Sequence, residues 1–71
     1  MIGNRLKELR KERQLTQEEI SKLLDIKQNT YSNYENNKSE PDINTLIKLA
    51  DIFKVSMDYL CGRHNKSWIV L

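Results

Sequence analysis

The feature that most constrains the fold of this chain is a helix start at Thr16, where two local signals coincide. Thr16 and Glu19 have the spacing of a capping box, in which the hydroxyl and the carboxylate each accept a hydrogen bond from an otherwise unpaired backbone N–H. Leu15 and Ile20 occupy the flanking positions of a hydrophobic staple. The sequence therefore predicts a short helix from Thr16 to about Leu24.

A tight turn and a second short helix are predicted to come next. Asp25 tolerates the left-handed backbone that a turn between crossed helices often requires, and Ile26 is expected to fill the corner. The next helix is predicted over residues 28–36, with Tyr31 and Tyr34 facing the core. The rest of this helix carries a polar face made of Gln28, Asn29, Ser32 and Asn33. A purely structural surface helix would more often carry Glu, Lys or Ala, because Asn and Ser are mediocre helix formers.

The composition favours a single, all-helical domain. The chain has 71 residues, of which 38% are hydrophobic, enough for one compact core. Two glycines and one proline leave little material for hairpins, and no run alternates between apolar and polar residues over the length of a strand.

Apolar spacing and caps predict three further helices. Ile2, Leu6 and Leu9 share one face of a helix over residues 2–14. Asp42 begins a strongly apolar helix, and Ser56 begins a short last one. The residues expected to face the core in the second and fourth helices are Ile20, Leu23, Leu24, Ile43, Leu46, Ile47, Leu49, Ala50 and Phe53. We therefore expect an all-α, compact bundle of five short helices.

Several classes of function lack the residues they need. Cys61 and His64 are the only residues of their types, so the sequence predicts no intrachain disulfide, metal site or cofactor. Cys61 is expected to be a small buried hydrophobe. There is no nucleophile–base pair and no glycine-rich phosphate loop, so no enzymatic activity is expected. No signal peptide or membrane-spanning run is evident, which predicts a cytoplasmic protein that does not contact a membrane.

The order of these motifs resembles the lambda-repressor-like helix-turn-helix family, the Cro/XRE type of bacterial and phage regulators. The resemblance runs from about Ile2 to Arg63. The matching segments are LKELRKERQLTQEEISKLL, NTYSNYE, NNKSEPD and LIKLADIFKVS, in that order. It implies a DNA-binding domain over residues 1–63, in which the second and third helices form a helix-turn-helix and helix 28–36 reads the major groove.

The resemblance also implies roles for individual residues. Gln28, Asn29 and Asn33 would reach base edges, and Ser32 would reach a base or a phosphate. Gln17 would contact a phosphate and steady the neighbouring glutamine. Lys27, Lys38 and the backbone around Asn37 would hold further phosphates. Arg10, which borders the apolar stripe of the first helix, would pair with Glu35 in a partly buried structural salt bridge.

The chain departs from the family pattern at three positions. Asp25 stands where glycine is most common, and Ser21 replaces the usual alanine at the helix crossing. Lys27 replaces a Ser or Thr cap, which costs about 1 kcal/mol and opposes the positive end of the helix dipole. That cost makes sense if a phosphate neutralises the lysine.

Residues 64–71 are predicted to be a separate tail. Trp68, Ile69, Val70 and Leu71 form an apolar end that continues no helical stripe. The tail either covers its own bundle or packs against a second copy, and we expect a homodimer that binds a double-stranded DNA operator, most simply as a repressor. The alternative is an antitoxin-like or accessory protein that keeps the fold and binds mainly protein. No small-molecule ligand is indicated.

Overall fold

The computed structural model describes residues 2–61 and forms five α-helices without a strand in that range. The helices are α1 (Gly3–Glu12), α2 (Gln17–Leu24), α3 (Gln28–Glu35), α4 (Ile43–Phe53) and α5 (Met57–Leu60). The predicted all-α bundle of five short helices is confirmed, with α1 two residues shorter at its C-terminal end than predicted. The tail prediction for residues 64–71 lies outside the described residues.

Side-chain caps fix three of the helix starts. At α2 the complete capping box is present: Glu19 N donates to Thr16 Oγ1 at 3.0 Å, and Thr16 N donates to Glu19 Oε1 at 2.8 Å. Asp42 caps α4 and Ser56 caps α5 in the same manner, through one backbone N–H each. Each cap satisfies an N–H that the helix itself leaves unpaired, so the predicted starts of these helices are confirmed.

Four helices end through a residue in the left-handed conformation, and none of these residues is glycine. They are Gln14, Asp25, Asn37 and Lys54, with φ between 58° and 60°. At the end of α2, Asp25 N donates to Lys22 O at 3.1 Å and Ile26 N donates to Ser21 O at 3.0 Å. This pair of bonds is the Schellman motif. Non-glycine residues adopt this conformation at a cost, so the helix ends are held by the packing around them.

The core contains side chains from all five helices. Its fully buried members are Leu6, Leu9, Ile20, Tyr31, Leu49, Phe53 and Leu60. The first helix contributes two of them and packs against α3, while α5 packs against α4. Burial of this kind stabilises the chain by about 25 cal/mol for each Å² of apolar surface removed from water.

The prediction that the nine apolar residues named above for the second and fourth helices face the core was wrong at three positions. Leu23 is 59% exposed, Ile43 is 65% exposed and Ile47 is 46% exposed. In α2 the buried residues are Ile20, Ser21 and Leu24, so the centre of the buried face is turned away from Leu23. In α4 the apolar stripe is wider than the face that the other described helices cover, so its outer edge remains exposed.

The predicted burial of Cys61 was also wrong. Helix α5 is a single turn of four residues, and its inward positions are taken by Tyr59 and Leu60. Cys61 is the C-terminal cap of this helix and is exposed.

We expect Lys54→Gly to stabilise the protein by about 0.5–1 kcal/mol, because glycine adopts the left-handed conformation without the steric cost that lysine carries. Chemical denaturation monitored by circular dichroism measures the change. Lys48→Gly is the matched control, since Lys48 is exposed inside α4 and glycine there should destabilise the helix by about 1 kcal/mol. Equal destabilisation by both substitutions would contradict the assigned helix end.

Candidate nucleic-acid interface

Helices α2 and α3 meet at a close crossing with a fixed turn between them. Ser21 is 3% exposed at this crossing, and its hydroxyl donates to Glu18 O at 2.8 Å. The serine is therefore small enough for the close approach and has its hydroxyl satisfied within α2. Asp25 adopts the predicted left-handed conformation, with φ 59° and ψ 45°. Ile26 packs against the core as expected. The two helices thus form a rigid pair.

Helix α3 has a buried side and a polar side. Tyr31 is fully buried and Tyr34 packs partly against the core, with the two rings edge to face at 6.4 Å. The polar side spans an arc of about 140° at 100° per residue. Its members are Gln28, Asn29 and Asn36, which are exposed, and Ser32 and Asn33, which are half-buried. The four predicted reading residues therefore share one accessible face.

A buried carboxylate, seven positions after Gln28, anchors α3 at the edge of its polar arc. Arg10 donates to Glu35 through Nε at 2.6 Å and through Nη2 at 3.2 Å, a two-pronged geometry that suits guanidinium and carboxylate. Gln17 Nε2 donates to the same carboxylate at 3.0 Å. Arg10 Nη1 also donates to Leu15 O at 2.9 Å. The salt bridge expected from the family resemblance is present, and it joins α1, α2 and α3.

The electrostatics of this cluster favour the charged carboxylate. Burial alone raises the pKa of Glu35, but the hydrogen bonds from Arg10 and Gln17, with the nearby Tyr31 hydroxyl, outweigh it and lower that pKa. Burial raises the pKa of Tyr31. The Tyr31 hydroxyl is buried and lies outside hydrogen-bonding geometry with any described residue. Glu35 is thus a fixed charge around which the three helices are arranged.

Two lysines stand at the two ends of α3. Lys27 is its N-cap, is exposed and makes no side-chain cap bond, so the predicted loss of that bond is confirmed. Lys38 is exposed just beyond the other end. Asn37 lies between Lys38 and the helix and has a left-handed backbone, at φ 60°. An exposed cation therefore flanks α3 along the chain at each of its two ends.

One contact of this region was not found from the sequence. The side-chain oxygen of Asn37 accepts a hydrogen bond from Gly3 N at 3.0 Å, across 34 positions of the chain. No local pattern indicates such a contact, because its two partners belong to different elements. The only available signal was a glycine at the first position of a helix, which by itself predicts nothing.

Other kinds of site are not supported within residues 2–61. No group of three or more His, Cys, Asp or Glu side chains in this range is arranged to hold a metal ion. In the same range, every helix falls short of the length and apolar character that crossing a membrane requires. The arrangement of amides, hydroxyls and cations suits recognition of a polar, anionic surface.

We expect the stability that depends on Glu35 to be lost in acid. A carboxyl whose pKa is lower in the folded state stabilises the fold above its unfolded pKa of about 4.3, and this contribution disappears as the pH falls through the folded value. The free energy of unfolding should therefore fall less steeply between pH 6 and pH 3 in Glu35→Gln than in the unchanged protein. Urea titrations at a series of pH values measure this difference. Asp42 also has a lowered pKa. It is present in both proteins, so its contribution to the pH dependence cancels in the comparison. Parallel pH profiles would contradict the assigned role.

Comparison with known proteins agrees with this geometry. The family model described as "Helix-turn-helix" matches residues 6–60. The chain is 44% identical over 66 residues to the HTH-type transcriptional regulator ImmR of Bacillus subtilis (strain 168), covering 93% of this chain and 52% of that protein. It is 36% identical over 62 residues to the cryptic phage CTXphi transcriptional repressor RstR of Vibrio cholerae, covering 87% of this chain and 55% of that repressor.

A third relative is named as an antitoxin and not as a transcriptional regulator. Antitoxin HipB of Escherichia coli (strain K12) is 36% identical over 66 residues, covering 93% of this chain and 74% of the antitoxin. No solved structure matches the chain. The chain spans about half the length of the two regulators, so the match concerns the helical domain they share. The family model covers most of the described residues, and the chain belongs to the helix-turn-helix family of the Cro/XRE type that its motifs indicated.

Proposed function

We propose that this chain is a sequence-specific double-stranded DNA-binding transcriptional regulator, acting as a repressor, that reads the major groove with α3. The observation that carries the proposal is the accessible face of Gln28, Asn29, Ser32 and Asn33 on a helix that the buried Glu35 anchors to α1. Glutamine and asparagine present a donor and an acceptor together, which matches adenine N6 and N7 in the major groove. Relatives named a regulator and a repressor support this function.

The two lysines fit the phosphates on either side of that groove. Helix α3 has eight residues, which makes it about 12 Å long, close to the width of about 12 Å of the major groove. Lys27 and Lys38 lie at its two ends, so each meets a different strand when the helix lies across the groove. A phosphate beside Lys27 also neutralises a cation that otherwise opposes the helix dipole.

Gln17 supports the reading face from α2. One of its amide hydrogens is donated to Glu35, and a glutamine amide has further donor and acceptor positions. We assign these to a phosphate and to Gln28. Gln17 thereby connects the buried carboxylate to the DNA surface, and its orientation is set before DNA arrives.

The proposal is a binding function and not a catalytic one. The relatives carry the names of regulators and an antitoxin, and the site consists of groups that hydrogen-bond or carry charge. A DNA operator as the partner places the protein with the nucleoid, in a bacterial cytoplasm. The proposal requires neither a cofactor nor a small-molecule ligand.

The reading face is tested with a Gln28→Ala, Asn29→Ala double variant and the DNA upstream of the protein's own gene. Loss of two amide contacts should weaken specific binding by at least about tenfold, measured by fluorescence anisotropy. Binding to a scrambled duplex is the internal control and should change little, because it depends on phosphates. Unchanged selectivity in the variant would mean that α3 does not read the bases.

We further propose that the protein binds a pseudo-palindromic operator as a homodimer, with the two reading helices one helical turn of DNA apart, about 34 Å. A reading head of this size has few contacts, so a second copy supplies the affinity. Trp68, Ile69, Val70 and Leu71, which lie outside the described residues, are assigned to this interface because an apolar run with a tryptophan favours burial.

Deletion of residues 68–71 should shift the protein from dimer to monomer in sedimentation velocity and weaken operator binding. The shortened protein should keep its helical circular dichroism spectrum, because buried side chains of the five helices form the core of the described residues. A dimer of undiminished stability after the deletion would remove the tail from the interface.

The resemblance to antitoxin HipB keeps a second candidate function, that of an antitoxin-like or accessory protein whose main partner is another protein. Ionic strength separates the two. Binding through several phosphates weakens steeply between about 50 and 200 mM salt, with a slope of about −0.9 per phosphate contact. Affinity for the upstream DNA that is weak and insensitive to salt would favour the protein partner.

A further inference from the structure

The end of α3 differs from the other three left-handed helix ends in the type of residue on its C-terminal side. An apolar residue comes next at the other three ends, namely Leu15, Ile26 and Val55. Such a residue normally packs back on the helix and anchors the turn. After Asn37 the next residue is Lys38, which is exposed. The loop after α3 therefore lacks the apolar anchor that the other turns have.

The backbone bonds of a helix end are nevertheless complete there. Lys38 N donates to Asn33 O at 2.9 Å, and Asn37 N donates to Tyr34 O at 3.2 Å. These two bonds are the Schellman pair. They set the backbone of the turn at α3 but do not attach it to the rest of the bundle.

The attachment is supplied by a hydrogen bond that we call the Gly3–Asn37 clasp, from Gly3 N to Asn37 Oδ1 at 3.0 Å. Ile2, the N-cap residue of α1, has no side chain that can accept from the first turn. Asn37 thus satisfies an N–H that α1 leaves unpaired, and α1 in turn fixes the side chain of Asn37. Both partners gain a bond that neither element could make alone.

The clasp requires glycine at position 3. A Cβ at Gly3 would clash with Glu35 O and would lie 2.6 Å from Asn37 Oδ1. A Cβ atom essentially never approaches another heavy atom so closely. The absence of a side chain therefore lets the start of α1 lie directly against the end of α3.

The loop beyond the clasp has few other supports on this side. Lys38, Ser39 and Glu40 are exposed and, with Ile2 and Asn37, line a surface cavity of ≈ 430 Å³. The chain is buried again at Pro41. Lys38 therefore lies at the start of a short exposed span whose two ends are the clasp and Pro41.

We propose that Asn37 is a positioning residue for DNA binding. The Gly3–Asn37 clasp holds the loop in place before DNA binds, so Lys38 can meet a backbone phosphate and the loop does not have to become ordered during binding. Preorganisation of this kind increases affinity by removing an entropic cost. The inference rests on the proposed function and refines it. The side chain of Asn37 acts through α1 and Lys38, not by touching DNA.

Asn37→Gly tests the proposal, because glycine keeps the left-handed backbone and removes only the side chain that accepts the bond. We expect the melting temperature to change little and binding to the upstream DNA to weaken about three- to tenfold, for specific and scrambled duplexes alike. Lys54→Gly is the matched control, a left-handed residue replaced by glycine at the end of another helix, and should bind DNA as the unchanged protein does. Equal affinity of Asn37→Gly and the unchanged protein would overturn the proposal.

A double-mutant cycle with Lys38→Ala separates positioning from direct contact. Lys38→Ala should reduce the salt slope by about 0.9. In that background Asn37→Gly should cause no further loss, because the group that the clasp positions is already gone. Additive losses would mean that the Asn37 side chain contacts DNA itself and would overturn the positioning role.

Gly3→Ala should break the same hydrogen bond from the α1 side, because the added Cβ would clash with Asn37. If the variant folds, its affinity for DNA should fall by the same factor as that of Asn37→Gly.

Amide hydrogen exchange of Gly3 in the Asn37→Gly protein tests the clasp without DNA. The Gly3 N–H is expected to lose its protection from exchange in this variant. Retained protection would show that the clasp is not what protects this N–H in solution. An unchanged protein that binds no duplex would refute the proposed function, whereas normal binding by both variants would refute the clasp alone.

Discussion

The buried Glu35 carboxylate is the interaction on which the rest of the arrangement depends. It receives the guanidinium of Arg10 from α1 and the amide of Gln17 from α2 while it belongs to α3. Its side chain is 1% exposed, so each donor is needed to offset the cost of burying a charge. Such a site has one satisfactory geometry, and this fixes three helices relative to one another more narrowly than apolar packing would.

That anchor explains how a polar helix can be both rigid and accessible. Helix α3 contains only two buried residues, Tyr31 and Glu35, too few to hold its orientation by apolar burial alone. The ion pair supplies the missing constraint through a single side chain of α3 and leaves the amides of that helix free of the core. A reading surface needs this separation, because side chains that hold the fold cannot also be offered to a ligand.

Much of the fold was predictable because its signals are local. A capping box is recognised from two residues three positions apart, and the left-handed turn at Asp25 is consistent with the tolerance of that residue type. Both are present as predicted. The exposure of Leu23 and Ile47 was not predictable in this way. Hydrophobic periodicity identifies an apolar face but does not state how much of that face a neighbouring helix covers.

The sequence by itself determined the five helices, their caps, the polar face of α3 and the cations at its ends, because each depends on residues within about one turn of one another. The tertiary structure decided which contacts join these pieces. The Gly3–Asn37 clasp spans 34 positions and the Arg10–Glu35 pair spans 25. The family resemblance alone indicated the Arg10–Glu35 pair, and no local pattern indicated the Gly3–Asn37 clasp. Only the packing of α1 against α3 brings them within hydrogen-bonding distance and excludes water from Glu35.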